Sequence, residues 1–438
     1  MTQPRRKKVL FFAEDFSLAH VGRALHLAEA LDSARFDVAI ACGERYQSFV
    51  EAAGIRRVDA FSVGSEEMLQ SLADGTPLFT SERLKRYVDD DLRLLNHETP
   101  DLIVSDFRVS LGISAPLLGI PLATLVNAHW SPYSKLRPPM PEHPILNRFG
   151  VTLGTALFNL VRPFAFRQHA RAFRELQESY GLSATKGLHE MYSAGTWTMY
   201  ADVPVLSPCA PLPDNHSYLG PITWEPPVPL PAWWEQVPAN RPVIYCSVGS
   251  SGDPTMIEAT IAGLTKVDAS VIMATAGHQI GCALPENFFT AQYLPGDACV
   301  RRSSLVICNG GAGAVYQALR RGKPFIGVPS NLDQYLVMRG VTQANAGLQI
   351  RAGKLNAKRI ESAVSRHLDN PSTTPSAANL EAEIASYDVQ QRFAAKVEEW
   401  LSGHKSDAHE TLPAAVPRDE AMITPLTPAL ASTSSPEA

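Results

Sequence analysis

The sequence predicts two α/β domains, each built on a parallel sheet, facing each other across a cleft. Three observations predict it. Short apolar runs alternate with longer helical patterns in both halves, a stretch with seven prolines divides the halves, and the polar and glycine-rich turns follow the carboxyl ends of the apolar runs. Runs buried on both faces and joined by helices belong to parallel sheets. In such sheets ligands sit beyond the carboxyl ends of the strands.

In the first half, residues 9–14 (VLFFAE), 37–42 (DVAIAC), 101–106 (DLIVSD) and 121–127 (PLATLVN) read as buried strands. Residues 20–31, 46–54 and 81–98 carry the apolar periodicity of the helices between them. A long, aromatic-rich insert runs from about 127 to 200. The stretch 221–242 (PITWEPPVPLPAWWEQVPANRP) holds too many prolines for a helix or a central strand and reads as a stiff linker. The alternation restarts at 242–249, 270–275, 305–310, 324–329 and 348–352. A helical pattern rich in Ala and Glu covers roughly 377–401, and the Pro-, Ala-, Ser- and Thr-rich tail is expected to be disordered. The resulting domains are 1–220 and 243–402, with the linker at 221–242 and the tail at 403–438.

The chain has 438 residues, 45% hydrophobic and 19% charged, with a formal net charge of -5, which argues against a nucleic-acid partner. Its six cysteines show no metal-ligand spacing and mostly lie in apolar runs, as reduced core residues do. The N-terminal apolar run meets Glu14 and Asp15 after about five residues, too few for a signal peptide. No stretch reaches the roughly 18 apolar residues of a membrane span. A soluble, cytoplasmic protein without stable membrane insertion is expected, and the sequon at Asn215 reads as chance.

The stretch NGGAGAVYQALRRGKPFIGVPSNLDQ, Asn309 to Gln334, carries the chemistry. It fits neither GxxxxGK[ST] nor GxGxxG. Gly310, Gly311 and Gly313 lie where a strand (LVICN) turns into a helix, and free amides with a positive dipole end attract an anion there. A tight turn needing positive φ explains the same glycines.

The longer pattern resembles that of nucleotide-sugar glycosyltransferases of the GT-B fold, the UDP-glycosyltransferase and natural-product group. Their signature places a histidine, a glycine, a Ser/Thr, an acidic residue, G-x-P and an Asp-Gln pair where this chain has Asn309, Gly311, Ala314, Gln317, Gly322-Lys323-Pro324 and Asp333-Gln334. The resemblance implies two Rossmann-like βαβ domains with their sheets facing across the cleft. It places Asn309 and the amides of Gly310, Gly311 and Gly313 on the donor diphosphate, Gln317 on the ribose, and Asp333 and Gln334 on the sugar. SVGSSGD (247–253) resembles the family's S-x-G-[ST] loop and puts Ser250 near the phosphates. Tyr293 stands about where the family stacks an aromatic on the base. The chain departs from the pattern at Asn309, which carries no positive charge, at Ala314, which lacks the hydroxyl, and at Gln317, which lacks the carboxylate.

In the first domain, His20 follows the first strand at a helix start, where the family places its catalytic histidine. Asp106 ends a strand where related plant enzymes place the aspartate of a His–Asp dyad; as a residue type it serves equally as a helix cap. Asp15 is an alternative partner for His20, and His26 is given no role. The insert offers Trp130 and Tyr133 as acceptor walls. The mix of apolar residues with Arg162, Arg167, Arg171 and Arg174 reads as an acceptor pocket, as a basic amphipathic face on a membrane, or as helices packed over the sheet.

The resemblance implies an inverting hexosyltransferase that needs no metal or other cofactor. It would take a sugar from a UDP- or dTDP-sugar donor to a hydroxyl of an apolar small molecule. A membrane-associated enzyme with a lipid acceptor and a non-catalytic partner protein on the same scaffold are the alternatives. An epimerase of this fold fits the Asp333-Gln334 spacing less well.

Overall fold

The computed structural model describes residues 5–142, 148–247, 249, 255–369 and 374–403. The expected tail therefore lies outside the described residues. The first sheet is parallel throughout, its seven strands ordered β3-β2-β1-β4-β5-β6-β7. These are β1 (Lys7–Ala13), β2 (Phe36–Cys42), β3 (Arg56–Asp59), β4 (Leu102–Asp106), β5 (Leu122–Val126), β6 (Trp197–Tyr200) and β7 (His216–Tyr218). The period-two geometry of a strand explains the KKVLFFA sequence of β1. Val9, Phe11 and Ala13 point into a core with α1 (Leu18–Ala28), and Leu10 and Phe12 into another with α4 (Ser81–Glu98) and α5 (Leu111–Leu118). Both faces are covered, so an uninterrupted apolar run is required. The shorter helices α2 (Gln47–Ala52) and α3 (Ser65–Asp74) complete this part.

The insert contributes α6 (Gly150–His169), α7 (Arg171–Ser179) and α8 (Leu188–Tyr192), then feeds β6 and β7 back into the sheet. The linker is irregular apart from a turn of 3₁₀ helix at Trp234–Gln236, and Trp224 lies so close over α1 that a Cβ on Gly22 would come within 2.3 Å of its ring.

The second sheet has six parallel strands ordered β10-β9-β8-β11-β12-β13. They are β8 (Val243–Ser247), β9 (Ser270–Ala274), β10 (Phe288–Ala291), β11 (Leu305–Cys308), β12 (Phe325–Gly327) and β13 (Leu348–Gln349). Its helices are α9 (Thr255–Leu264), α10 (Gly296–Arg302), α11 (Ala312–Leu319), α12 (Leu332–Gln343), α13 (Ala357–Asp369), α14 (Thr374–Ala385) and α15 (Val389–Gly403). The Ala- and Glu-rich pattern is thus two helices. The second, α15, buries Val389, Phe393, Val397 and Trp400 in the core of the first sheet, although sequence boundaries group it with the second. Trp400 stacks on Trp197 at 4.5 Å and Phe393 meets Phe11 at 5.9 Å.

In each sheet the strand order reverses once, between β1 and β4 and between β8 and β11. Ala13 is paired there with Asp106, and Ser247 with Cys308. Loops diverge at such a point and leave a crevice. Cys42, Cys246, Cys299 and Cys308 are buried as expected, whereas Cys209 is half-buried and Cys282 exposed, and all six are free thiols.

At the far end of the first sheet, Glu98 takes Arg56 at 3.0 and 2.7 Å and Lys8 at 2.9 Å. The Arg56 bonds, working against burial, lower its carboxyl from 4.5 to about 2. A depressed carboxyl stabilises the fold above its unfolded value, and this is lost as pH falls from 4.5 toward about 2. Glu98→Gln is expected to lower unfolding stability near neutral pH by about 1–2 kcal/mol, after discounting for the half-exposed Arg56. The gap from wild type should close in acid; denaturant titrations across pH test this.

Candidate active site

The Ser17 hydroxyl caps α1 by accepting the Ala19 amide at 3.3 Å, which turns His20 toward the switch point. Its Nδ1 lies 2.8 Å from Asp106 Oδ1. A neutral ring donating from Nδ1 to the carboxylate keeps Nε2 as its basic nitrogen. Arg23, one turn along α1, grips the same carboxylate from Nε to Oδ2 at 2.7 Å and from Nη2 to Oδ1 at 2.6 Å. Burial alone would raise the Asp106 carboxyl, but Arg23 and His20 hold it below the usual carboxylate range. Asp106 does not cap α5, whose N-cap is Ser110. Asp15 is turned away from the histidine and accepts the Arg45 amide at 3.2 Å beside Gly43.

The His20 ring stacks on Phe107 at 5.4 Å and meets the edge of Phe16 at 5.2 Å. Phe107 has φ +63, a left-handed conformation that a bulky residue adopts only when its surroundings impose it. The next residue supplies that constraint. Arg108, 3% exposed, donates to Asp91 at 2.7 Å, Asp90 at 3.1 Å and Glu14 at 3.4 Å, and also to the Phe61 carbonyl. Burial raises the Glu14 carboxyl against the pull of Arg108.

Across the cleft, Gly310 has φ +76 and Gly311 is the N-cap of α11. The turn therefore needs one positive-φ glycine, while a Cβ on Gly313 would meet nothing within 4 Å. The Asn309 side chain accepts the Gly311 amide at 3.0 Å and lies against Gly249. Ser250 lies outside the described residues. Gln317 donates at 3.3 Å to Glu225 of the linker, which also takes the Asp297 amide at 2.5 Å. The Tyr293 ring meets Phe49 of the first domain edge-on at 5.6 Å.

Asp333 Oδ1 lies 2.8 Å from His129 Nε2 and accepts from Trp130 Nε1 at 2.7 Å. Against the effect of burial, His129 and Trp130 draw this carboxyl down to about 2. Gln334 accepts the Ser330 amide at 2.9 Å through its side-chain oxygen. Trp130 is thus a contact between the two domains. Its ring continues an aromatic row from His20 through Phe107 and Tyr192 (5.1 Å), Tyr192 and Trp130 (5.3 Å), to Phe166 (6.3 Å). Tyr133 stands outside this row, packed on His216 of β7 at 5.3 Å.

A buried polar chain ties the two halves. Arg23 Nη1 donates to Asn127 at 3.0 Å, and Asn127 to Asp202 at 3.2 Å. Asp202 also takes the Ala128 amide at 2.6 Å and, through its other oxygen, the hydroxyl of Tyr316 on α11 at 2.8 Å. Arg23, Arg108, Asp202 and Glu225 were not singled out in the sequence. Only Arg23 left a local signal there, since it lies three residues after His20 on one helix face.

Residues 258–400 match the family described as erythromycin biosynthesis protein CIII-like, C-terminal domain. The chain is 39% identical over 377 residues to a PGL/p-HBAD biosynthesis glycosyltransferase of Mycobacterium tuberculosis (strain ATCC 25177 / H37Ra), covering 86% of this chain and 88% of that one. It is equally 39% identical over 377 residues to a PGL/p-HBAD biosynthesis rhamnosyltransferase of Mycobacterium bovis (strain BCG / Pasteur 1173P2), covering 86% and 84%. Among solved structures it resembles glycosyltransferase VinC in complex with dTDP, with a TM-score of 0.64 at 20% identity, over 90% of this chain and 98% of that one. The two-sheet architecture is the GT-B fold.

Tyr316→Phe leaves Asp202 buried without one of its donors. It is expected to cost about 1–3 kcal/mol of stability, measurable by denaturant unfolding.

Proposed function

Because this chain belongs to the family of the PGL/p-HBAD biosynthesis glycosyltransferases, we propose that it moves a hexosyl unit from a dTDP- or UDP-sugar to a hydroxyl of an apolar acceptor, with inversion. The observation that carries the reading is the 2.8 Å contact of His20 with a buried Asp106 at the first switch point, opposite the glycine turn of the second. His20 Nε2 takes the proton of the acceptor hydroxyl, and Asp106 stabilises the imidazolium that forms. The acceptor oxygen bonds to the anomeric carbon from the face opposite the nucleotide. The bond from that carbon to the diphosphate oxygen breaks, and the electron pair leaves with the nucleoside diphosphate.

The leaving diphosphate is received by Asn309 and the amides at the start of α11, whose partial positive charge suits it. Glu225 supplies the carboxylate that Gln317 lacks, and the pair reads the ribose hydroxyls. Both bonds to Asp333 fall on Oδ1, so Oδ2 takes a sugar hydroxyl together with Gln334. The aromatic row from Phe107 to Phe166 forms the acceptor wall. Of the two nucleotides, thymidine diphosphate is favoured by the likeness to VinC, whose structure holds it.

Calorimetric titration with dTDP, UDP, GDP and ADP is expected to show selective binding of dTDP or UDP. Asp333→Ala should weaken the sugar nucleotide while leaving the nucleoside diphosphate unchanged; if no nucleotide binds, the donor reading fails. His20→Ala should cut turnover by about 10²–10⁴-fold at unchanged nucleotide affinity. Full activity in that variant removes His20 from the mechanism.

A further inference from the structure

Among the described residues nine large apolar side chains are exposed, and six of them, Phe149, Val151, Leu153, Leu160, Val161 and Phe164, lie on or at the start of α6. Leu160 is 76% and Phe164 66% exposed. At about 100° per residue, positions 149, 153, 160 and 164 fall within roughly 60° of one another, so they form one stripe along the helix. The opposite side packs inward through Gly154 and Phe158. A helix apolar on both faces has one face to cover from outside the domain.

The charge around the stripe says what covers it. From Arg148 to Arg174 the sequence holds five arginines and no Asp or Glu, in a chain of net charge -5, and Arg171 is paired with the following Glu175 at 2.7 Å. Arg148 and Arg167 are exposed, and Arg167 falls on the apolar side itself. A second copy docked through a two-fold axis would bring two such arginine-bearing faces together with no Asp or Glu from residues 148–174 to offset them. Anionic headgroups pair instead with the exposed Arg148 and Arg167, while the apolar side chains reach the acyl boundary. The helix is about 30 Å long at 1.5 Å per residue, and no described helix is long and apolar enough to cross a membrane.

We propose that the outward face of α6 seats the protein on an anionic lipid bilayer, as a peripheral and not a spanning contact. Pro163, Phe166 and Arg167 of α6 line an open cavity of about 230 Å³ with Leu188 and His189. Phe166 is the last ring of the aromatic row that starts at His20. The seated helix therefore sets the acceptor wall against the bilayer, a consequence that rests on the sugar-transfer reading, whereas the docking does not.

Flotation of the full chain with phosphatidylglycerol vesicles, phosphatidylcholine vesicles and no vesicles tests the docking. Binding to phosphatidylglycerol alone, weakened by added salt, is expected. The double variant Leu160→Glu/Phe164→Glu should bind roughly tenfold or more weakly, while Leu230→Glu, on an exposed apolar site elsewhere, should bind like wild type. Circular dichroism melts establish that the variants fold, and sedimentation velocity follows self-association. Failure of wild type to float, equal binding by the folded double variant, or a wild-type dimer that the double variant dissociates would each overturn the proposal. A protein that floats yet binds no nucleotide would sink the function proposed above and leave the docking standing.

Discussion

A carboxylate buried at the end of β4 is the constraint from which the cleft is built. Asp106 is 2% exposed, and an ion at that depth is tolerated only when its lone pairs are met by donors. Arg23 meets both oxygens, and the remaining approach to Oδ1 belongs to His20. The orientation of the proposed base is therefore set by what the carboxylate still lacks after Arg23 has bound it. Parallel pairing of Ala13 with Asp106 brings the two loops together in the first place. Arg108 then fixes the turn that follows, so that Phe107 stays in its positive-φ conformation and lies flat against the imidazole.

The same arginine that compensates Asp106 reaches Asn127, and through Asp202 the chain of donors ends on Tyr316 of the second domain. The glycine turn's helix and the His20–Asp106 corner thus share one hydrogen-bonded path. A second tie runs from Glu142 in the insert to Arg351 at 3.0 Å and to the Tyr335 hydroxyl at 2.5 Å. A third joins His129 and Trp130 to Asp333. Trp130 serves two sides at once: its indole N–H holds Asp333, while its ring sits in the aromatic row leading from His20. The proposed donor and acceptor positions meet at one residue, as a direct transfer between them requires.

Much of this was legible in the sequence, and the rest was not for definite reasons. Runs such as VLFFA and LVIC read as strands because both of their faces are buried, which leaves no other pattern. The turn at 309–313 was legible because glycine marks backbone geometry directly. The strands β3, β6, β7 and β10 were missed: RRVD, WTMY, HSY and FFTA are too short to show a period and are strands only because a neighbour accepts them. Arg108, Asp202 and Glu225 were hidden because their polar partners lie far away in the chain and such contacts leave no periodic trace. The apolar stripe of α15 was visible, but nothing in it says which of two sheets it will cover.

The departures of the glycine-rich stretch from the family pattern are physically linked to their surroundings. Where that pattern has a carboxylate on the helix, Gln317 offers only an amide, and Glu225 of the linker stands within hydrogen-bonding distance of it. A carboxylate therefore stands beside the Gln317 amide, supplied by the linker and not by the helix. Gly296 is what permits this, since a Cβ there would lie 2.3 Å from the Gln317 amide. Asn309, without a positive charge, spends its carbonyl on the Gly311 amide and so shapes the turn, leaving charge compensation of a diphosphate to the helix end. The proline linker is then more than a spacer: by holding Trp224 over Gly22 and Glu225 against α10, it makes the ribose contact proposed for the second domain depend on how the first is seated.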